Sequence, residues 1–218
     1  MSLRSLLAWA AAFAVLLTAA CNALPSLPAA LVAPADPDET PPDRPYAQGK
    51  TLGPMDAPVV IEEYADFQCP WCAKFATGAL HDLEDTYIRP GTGQVRFIFR
   101  HMAVLGPASQ TAAEAAECAN EQGQFWPYAD QLYATQRTPG LFSPNGLKQV
   151  AADIGLDMAA FNACLGSRRY QQVVEQETRQ GQARGVRYTP TFIVNGQVLV
   201  GAVSLAQLSR LIASGSGD

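Results

Sequence analysis

Two cysteines three positions apart, Cys69 and Cys72, enclose Pro70 and Trp71. They follow an apolar run and precede a helical pattern, which puts Cys69 at a helix N-terminus. There, unpaired N–H groups and the helix dipole favour thiolate over thiol. Cysteines in such settings have pKa values lowered to about 3.5 to 7.5 and are nucleophilic at neutral pH. Cys72 lies one turn further along the same face, within reach of Cys69 to form or resolve a disulfide. Pro70 suits the first helical turn, where its missing N–H costs nothing. A structural disulfide or half of a zinc site would use the same pair, but zinc asks for a second close pair or a His-x-x-x-His arrangement. His81 and His101 stand alone in the sequence and read as a surface residue and a loop residue. No metal site and no cofactor is expected.

Positioning such a pair takes a strand and a helix. Val59, Val60 and Ile61, continuing through Glu62, Glu63 and Tyr64, read as a buried strand. Phe75, Ala79, Leu83 and Tyr87 recur every four residues after Cys69 and predict a helix ending before Pro90 and Gly91. Val95, Phe97 and Phe99 alternate with Arg96 and Arg100 as a second strand. Strand, helix and strand in that order imply a right-handed crossover in a parallel sheet. From Pro107 to about Arg184 the pattern is helical. Ala112, Ala115, Ala116 and Ala119 form one face, and Phe125, Trp126, Ala129, Leu132 and Tyr133 an aromatic one. Ser143 caps a helix carrying Leu147, Val150 and Ile154 and closed by Gly155. Asp157 caps a short helix through Phe161 to Leu165, and another runs from Arg168 to Arg184. Thr191 to Val194, Asn195-Gly196 and Gln197 to Val200 read as a hairpin. Ser204 caps a last helix with Leu205, Leu208, Leu211 and Ile212. The fold class is therefore α/β, a sheet interrupted by an all-helical insertion.

The segment Asp66-Phe67-Gln68-Cys69-Pro70-Trp71-Cys72 after a buried strand, together with Tyr188-Thr189-Pro190-Thr191 before a hairpin, resembles the DsbA-type branch of the thioredoxin superfamily. The helical insertion agrees, as does the stretch from Cys118 through Gln122, Gly123, Phe125 and Trp126. The resemblance covers about Gly53 to Ile212. It implies a thioredoxin fold with halves at about 51–106 and 185–218 and an insertion at about 107–184. It also implies catalysis by Cys69 and Cys72. Pro190 matches a cis-proline beside the disulfide, and Thr189 the residue whose backbone pairs with an extended substrate. Glu63, six residues before Cys69, matches a buried acid that exchanges protons with the inner cysteine. Glu62 points to the other face. The alternatives are a plain strand-start proline at Pro190 and a strand-edge charge at Glu63. Pro-Trp between the cysteines lacks the histidine of the strongly oxidising members. Pro70 and Trp71 border the substrate site, with ordinary packing as the other reading of Trp71. Cys118 and Cys164 fall on predicted helices of the insertion and form a structural disulfide, a second redox relay or two free thiols.

Met1 to Arg4, the apolar run Leu6 to Leu17 and the small residues Thr18 to Ala20 have the layout of a secretory signal over residues 1–21, too short for a span of about 20 residues. Small residues before Cys21 resemble a bacterial lipobox, which makes Cys21 a lipidation site. The alternative is cleavage after Ala20 that leaves a free thiol. Five cysteines less Cys21 leave four, an even number for an oxidising compartment. Residues 22–50, rich in Pro, Ala and Asp, read as a tether, and 51–218 as the domain. The net charge of −5 without runs of one sign argues against nucleic acid as a partner. The expectation is an extracytoplasmic, membrane-anchored monomer that introduces disulfides into exported thiol clients. The resemblance implies reoxidation by a quinone-linked membrane oxidase of the DsbB or vitamin K epoxide reductase type. A reductase or isomerase of the same fold is the first alternative, and a metal-binding lipoprotein the second.

Overall fold

A computed structural model describes residues 44–89 and 91–215. The expected signal segment, Cys21 and the expected tether up to residue 43 lie outside the described residues. Six strands form one sheet in the order β1-β2-β4-β3-β5-β6: β1 Ala47–Gln48, β2 Thr51–Leu52, β3 Val59–Ala65, β4 Val95–His101, β5 Thr191–Val194 and β6 Gln197–Val200. β3 and β4 run parallel, with Glu63 opposite Phe99, and β5 joins the other side of β3 antiparallel, with Glu63 opposite Phe192. The parallel pair is connected by the helix that carries the cysteines, as a crossover requires.

That helix, α1, spans residues 70–88. A strict four-residue repeat overruns the 3.6 residues of an α-turn, and α1 absorbs the excess in two wider π-type turns, Phe75–Ala79 and Glu84–Ile88. Phe75 and Leu83 are buried, while Ala79 and Tyr87 sit half-buried at the margin of the core. The insertion consists of α2 Pro107–Glu121, α3 Phe125–Ala134, α4 Pro144–Asp153, α5 Met158–Gly166 and α6 Gln171–Ala183; α7 Leu205–Gly215 closes the domain. The Ser143 hydroxyl accepts from Gly146 N, and the Asp157 carboxylate from Ala159 N and Ala160 N, satisfying helix N–H groups that have no partner inside the helix. At the last helix the Gln207 side chain accepts from Ser204 N at 2.9 Å, the return half of a capping box.

One face of the sheet, with Val59, Ile61, Phe97, Phe99, Phe192 and Val194, joins α1 and the insertion in a single large core. The opposite face carries a small cluster of Tyr64, Met102, Val186 and Ile193. There Gly181 of α6 comes so close that a Cβ would stand 2.8 Å from the Tyr64 ring. The hairpin between β5 and β6 turns on Asn195 and Gly196 with φ of 47° and 84°, the left-handed pair a tight hairpin needs.

Residues 44–50, expected to belong to a tether over 22–50, instead pack as part of the domain. Ala47 and Gln48 pair with Leu52 and Thr51. Arg44 makes two hydrogen bonds to Glu84, at 2.7 and 2.8 Å, and one to Asp130. A two-residue strand has no periodicity to detect, and these anchors are ionic contacts across 40 and 86 positions. His101 is likewise no loop residue: it ends β4, is buried, and meets Glu117 at 3.0 Å.

Cys118 of α2 and Cys164 of α5 are joined by a disulfide across 46 positions. A loop of that length constrains the unfolded chain by about 4 kcal/mol. Replacing both by serine should lower the unfolding free energy by about that amount in urea titrations; a loss below about 1 kcal/mol would contradict this role.

Candidate functional site

β3 ends at Ala65, and the chain reverses through Asp66, Phe67 and Gln68 to deliver Cys69 as the N-cap of α1, in extended conformation with φ −78° and ψ 119°. Asp66 makes this turn possible. One carboxylate oxygen accepts from Gln68 N at 2.9 Å, and the other from Val104 N and Leu105 N at 2.9 and 3.0 Å. Cys69 N donates to Asp66 O at 3.0 Å. The carboxylate is buried, yet three N–H groups satisfy it, as burial of a charge demands.

Both cysteines are unbonded, and their surroundings treat them in opposite ways. The Cys69 thiol reaches Thr189 O at 3.2 Å, just before the cis peptide bond to Pro190. Its pKa is lowered to about 6. Hydrogen bonding from Cys72 acts most strongly, desolvation opposes it, and Thr189 and the N–H groups of Cys72 and Trp71 add to the lowering. Pro70 leaves those two N–H groups as the first the helix can offer to the sulfur. Cys72 is 0% exposed. Burial pushes its thiol well above the ordinary value, and hydrogen bonding to Cys69 and the nearby charges of Glu63 and Cys69 act in the same sense.

Glu63 lies beneath the pair on the core face of β3, 2% exposed. Desolvation, and then the charge of Cys69, hold its carboxyl well above the usual carboxylate range. Its neighbour Glu62 faces the other side of the sheet and bonds Arg100 and Arg184 at 3.0 and 2.7 Å. The structure thus brings Cys69, Cys72, Glu63, Thr189 and Pro190 together. Trp71, 56% exposed, and Tyr188, 70% exposed, stand at the rim; Lys74 Nζ lies 5.4 Å from the Trp71 ring centre. Cys118 and Cys164 belong to the insertion and are bonded to each other.

Sequence reasoning missed Asp66 and Gln136. Gln136 Nε2 donates to Phe67 O at 2.7 Å and to Cys69 O at 3.0 Å. Asp66 could have been found as an acid one position past the strand, where Asx-type turns begin; Gln136 had no local signal. Among the described residues, His101, Glu117 and Glu177 could hold a metal ion. The Lys50 ammonium already lies against Glu117 at 2.6 Å and Glu177 at 2.7 Å. The chain supplies its own cation there, and the group does not include the two cysteines.

Comparison with known proteins agrees with this geometry. A family model described as thioredoxin matches residues 47–214. The chain is 36% identical over 186 residues to "Na(+)/H(+) antiporter NhaA 3" of Salinispora tropica, covering 84% of this chain and 26% of that protein. It therefore spans about a quarter of the length of that relative. It is 29% identical to "Probable disulfide bond formation protein D" of Bacillus anthracis, covering 70% of this chain and 72% of that one. Among solved structures, a thioredoxin-like oxidoreductase from Silicibacter pomeroyi superposes with a TM-score of 0.66 at 25% identity, covering 76% of this chain and 91% of that one. Oxidised BdbD from Bacillus subtilis superposes with 0.69 at 24% identity, covering 78% and 94%, and shows the same fold. With its paired cysteines at the head of α1 and its sheet interrupted by helices, the chain belongs to the thioredoxin family.

Proposed function

We propose that this thiol-disulfide oxidoreductase of the thioredoxin family introduces disulfides into exported proteins through Cys69 and Cys72. The opposed treatment of the two sulfurs carries this reading: Cys69 is drawn toward the thiolate and Cys72 toward the thiol. An environment that stabilises the reduced pair in this way makes its disulfide easier to reduce, hence a stronger oxidant of other thiols.

In the forward reaction a client thiolate attacks Cys69 Sγ of the oxidised pair. The Cys69–Cys72 bond breaks, a client–Cys69 bond forms, and Cys72 leaves with the electron pair. Glu63, with its raised pKa, supplies the proton that neutralises the buried Cys72 sulfur. A second client thiolate then attacks the client sulfur of the mixed disulfide. Cys69 leaves as a thiolate held by the first N–H groups of α1, and the client carries away a disulfide. Two electrons and the matching protons return to a membrane oxidant of the quinone-linked class. Thr189 O, beside Cys69, is placed to pair with the client backbone, and Trp71 to cover the exchange site.

This work lies outside the cytoplasm, with lipid at Cys21 holding the domain to a membrane. Among the described residues no helix is long and apolar enough to cross one. A reductase would run the same exchange backward, and Trp71 in place of a cation between the cysteines favours it. Oxidised protein mixed with a reduced, unfolded two-cysteine client separates the two. The oxidase reading expects near-stoichiometric client disulfide within minutes. Negligible transfer, with brisk reduction of insulin by the reduced protein, would overturn it.

Two further outcomes follow from the electrostatics. Alkylation of the reduced protein should modify Cys69 alone, with a rate that rises through a midpoint near pH 6. Modification of Cys72 at comparable rate, or a midpoint near the ordinary 9.0, would contradict the assignment of roles. Glu63→Gln retains the shape of the side chain without a transferable proton. Formation of the client–Cys69 mixed disulfide, the step in which Cys72 takes up its proton, should slow about 100-fold at pH 7 in stopped-flow measurements, while an unchanged rate would remove Glu63 from the mechanism.

A further inference from the structure

We infer that Gln136, which follows α3 in the helical insertion, is a positioning residue for Cys69: its carboxamide orients the peptide plane that carries the nucleophile. The inference rests on Cys69 being the attacking thiol.

The three peptide planes leading into α1 are held differently. The plane between Phe67 and Gln68 is fixed at both ends, its N–H by the Asp66 carboxylate and its carbonyl by Gln136 Nε2 at 2.7 Å. The plane between Gln68 and Cys69 is fixed by Cys69 N donating to Asp66 O. The plane between Cys69 and Pro70 has no N–H, because residue 70 is proline. Its orientation depends on what its carbonyl accepts, which is Ala73 N at 3.1 Å from within α1 and Gln136 Nε2 at 3.0 Å from outside it. Gln136 is thus the contact to this plane from beyond the active-site helix.

That orientation sets ψ of Cys69, now 119°, and with it the position of Sγ relative to the N–H groups of Trp71 and Cys72 that favour the thiolate. Gln136 is itself held in a turn. Its N donates to Tyr133 O at 3.4 Å, and Thr138 N to Thr135 O at 2.8 Å. The Tyr133 ring lies 5.2 Å from that of Phe67, so residues 133–136 grip the active-site turn by an aromatic contact and by a carboxamide. Through this grip the insertion acts on the reactivity of a cysteine in the thioredoxin half.

Gln136→Met keeps the length and removes both donors, and Gln136→Glu sets a carboxylate against two carbonyl oxygens. The alkylation midpoint of Cys69 should rise by roughly half to one pH unit in the Met variant, the size of one net hydrogen bond, and further in the Glu variant. A purely structural role would lower the stability of oxidised and reduced protein alike and leave that midpoint in place. Midpoints unchanged within about 0.2 unit in folded variants would overturn the inference. Should neither variant fold, the side-chain NH2 resonances of Gln136 in the wild-type protein decide. Shifts that follow the titration of Cys69 support the clamp, and flat signals refute it. A wild-type protein whose Cys69 is inert near pH 7 would instead refute the role of the cysteine.

Discussion

The negative charge that Cys69 carries once deprotonated has to be held almost without water, since the residue is only 4% exposed. It is held by hydrogen bonds from the Cys72 thiol and the first N–H groups of α1. Each donor comes from a different requirement of the fold. The helix must begin immediately after Cys69, and Cys72 must point inward one turn on, while the segment just before β5 lays Thr189 O against the sulfur. Glu63 enters because β3 runs beneath the site and places one acid on the core face, where desolvation keeps it ready to carry a proton.

Holding that arrangement falls to groups distant in sequence. Asp66 ties the active-site turn to the segment after β4, and Gln136 ties it to the insertion. Farther away, Arg44 with Glu84 and Asp130, and Lys50 with Glu117 and Glu177, fasten the start of the domain to α1 and the insertion. His101 sits inside the second cluster, where burial acts first to lower its pKa. A buried charge left without a partner costs several kcal/mol, so these clusters fix one arrangement of the elements that carry the site.

The elements most legible in the sequence were those with a period or a cap: the alternation in β4, the apolar run of β3, the Asn195-Gly196 hairpin and the caps Ser143 and Asp157. The reacting pair announced itself by spacing, and Thr189 with Pro190 became legible only beside it. What escaped has a common physical cause. A two-residue strand such as Ala47–Gln48 has no period, and a glutamine that bonds carbonyls 67 and 69 positions away leaves no local trace. The four-residue repeat in α1 announced a helix, but not that its excess over 3.6 residues per turn would be taken up in two π-type turns.

The measurement that bears most directly on this account is the reduction potential of the Cys69–Cys72 pair from pH 4 to 8. With Cys69 titrating near 6 and Cys72 remaining protonated, two electrons travel with two protons below that pH and with one above it. The potential should therefore fall by about 59 mV per pH unit in acid and about 30 mV per unit above the break, and at pH 7 lie above about −220 mV. An unbroken slope of about 59 mV per unit to pH 8, with a value below about −270 mV at pH 7, would contradict it.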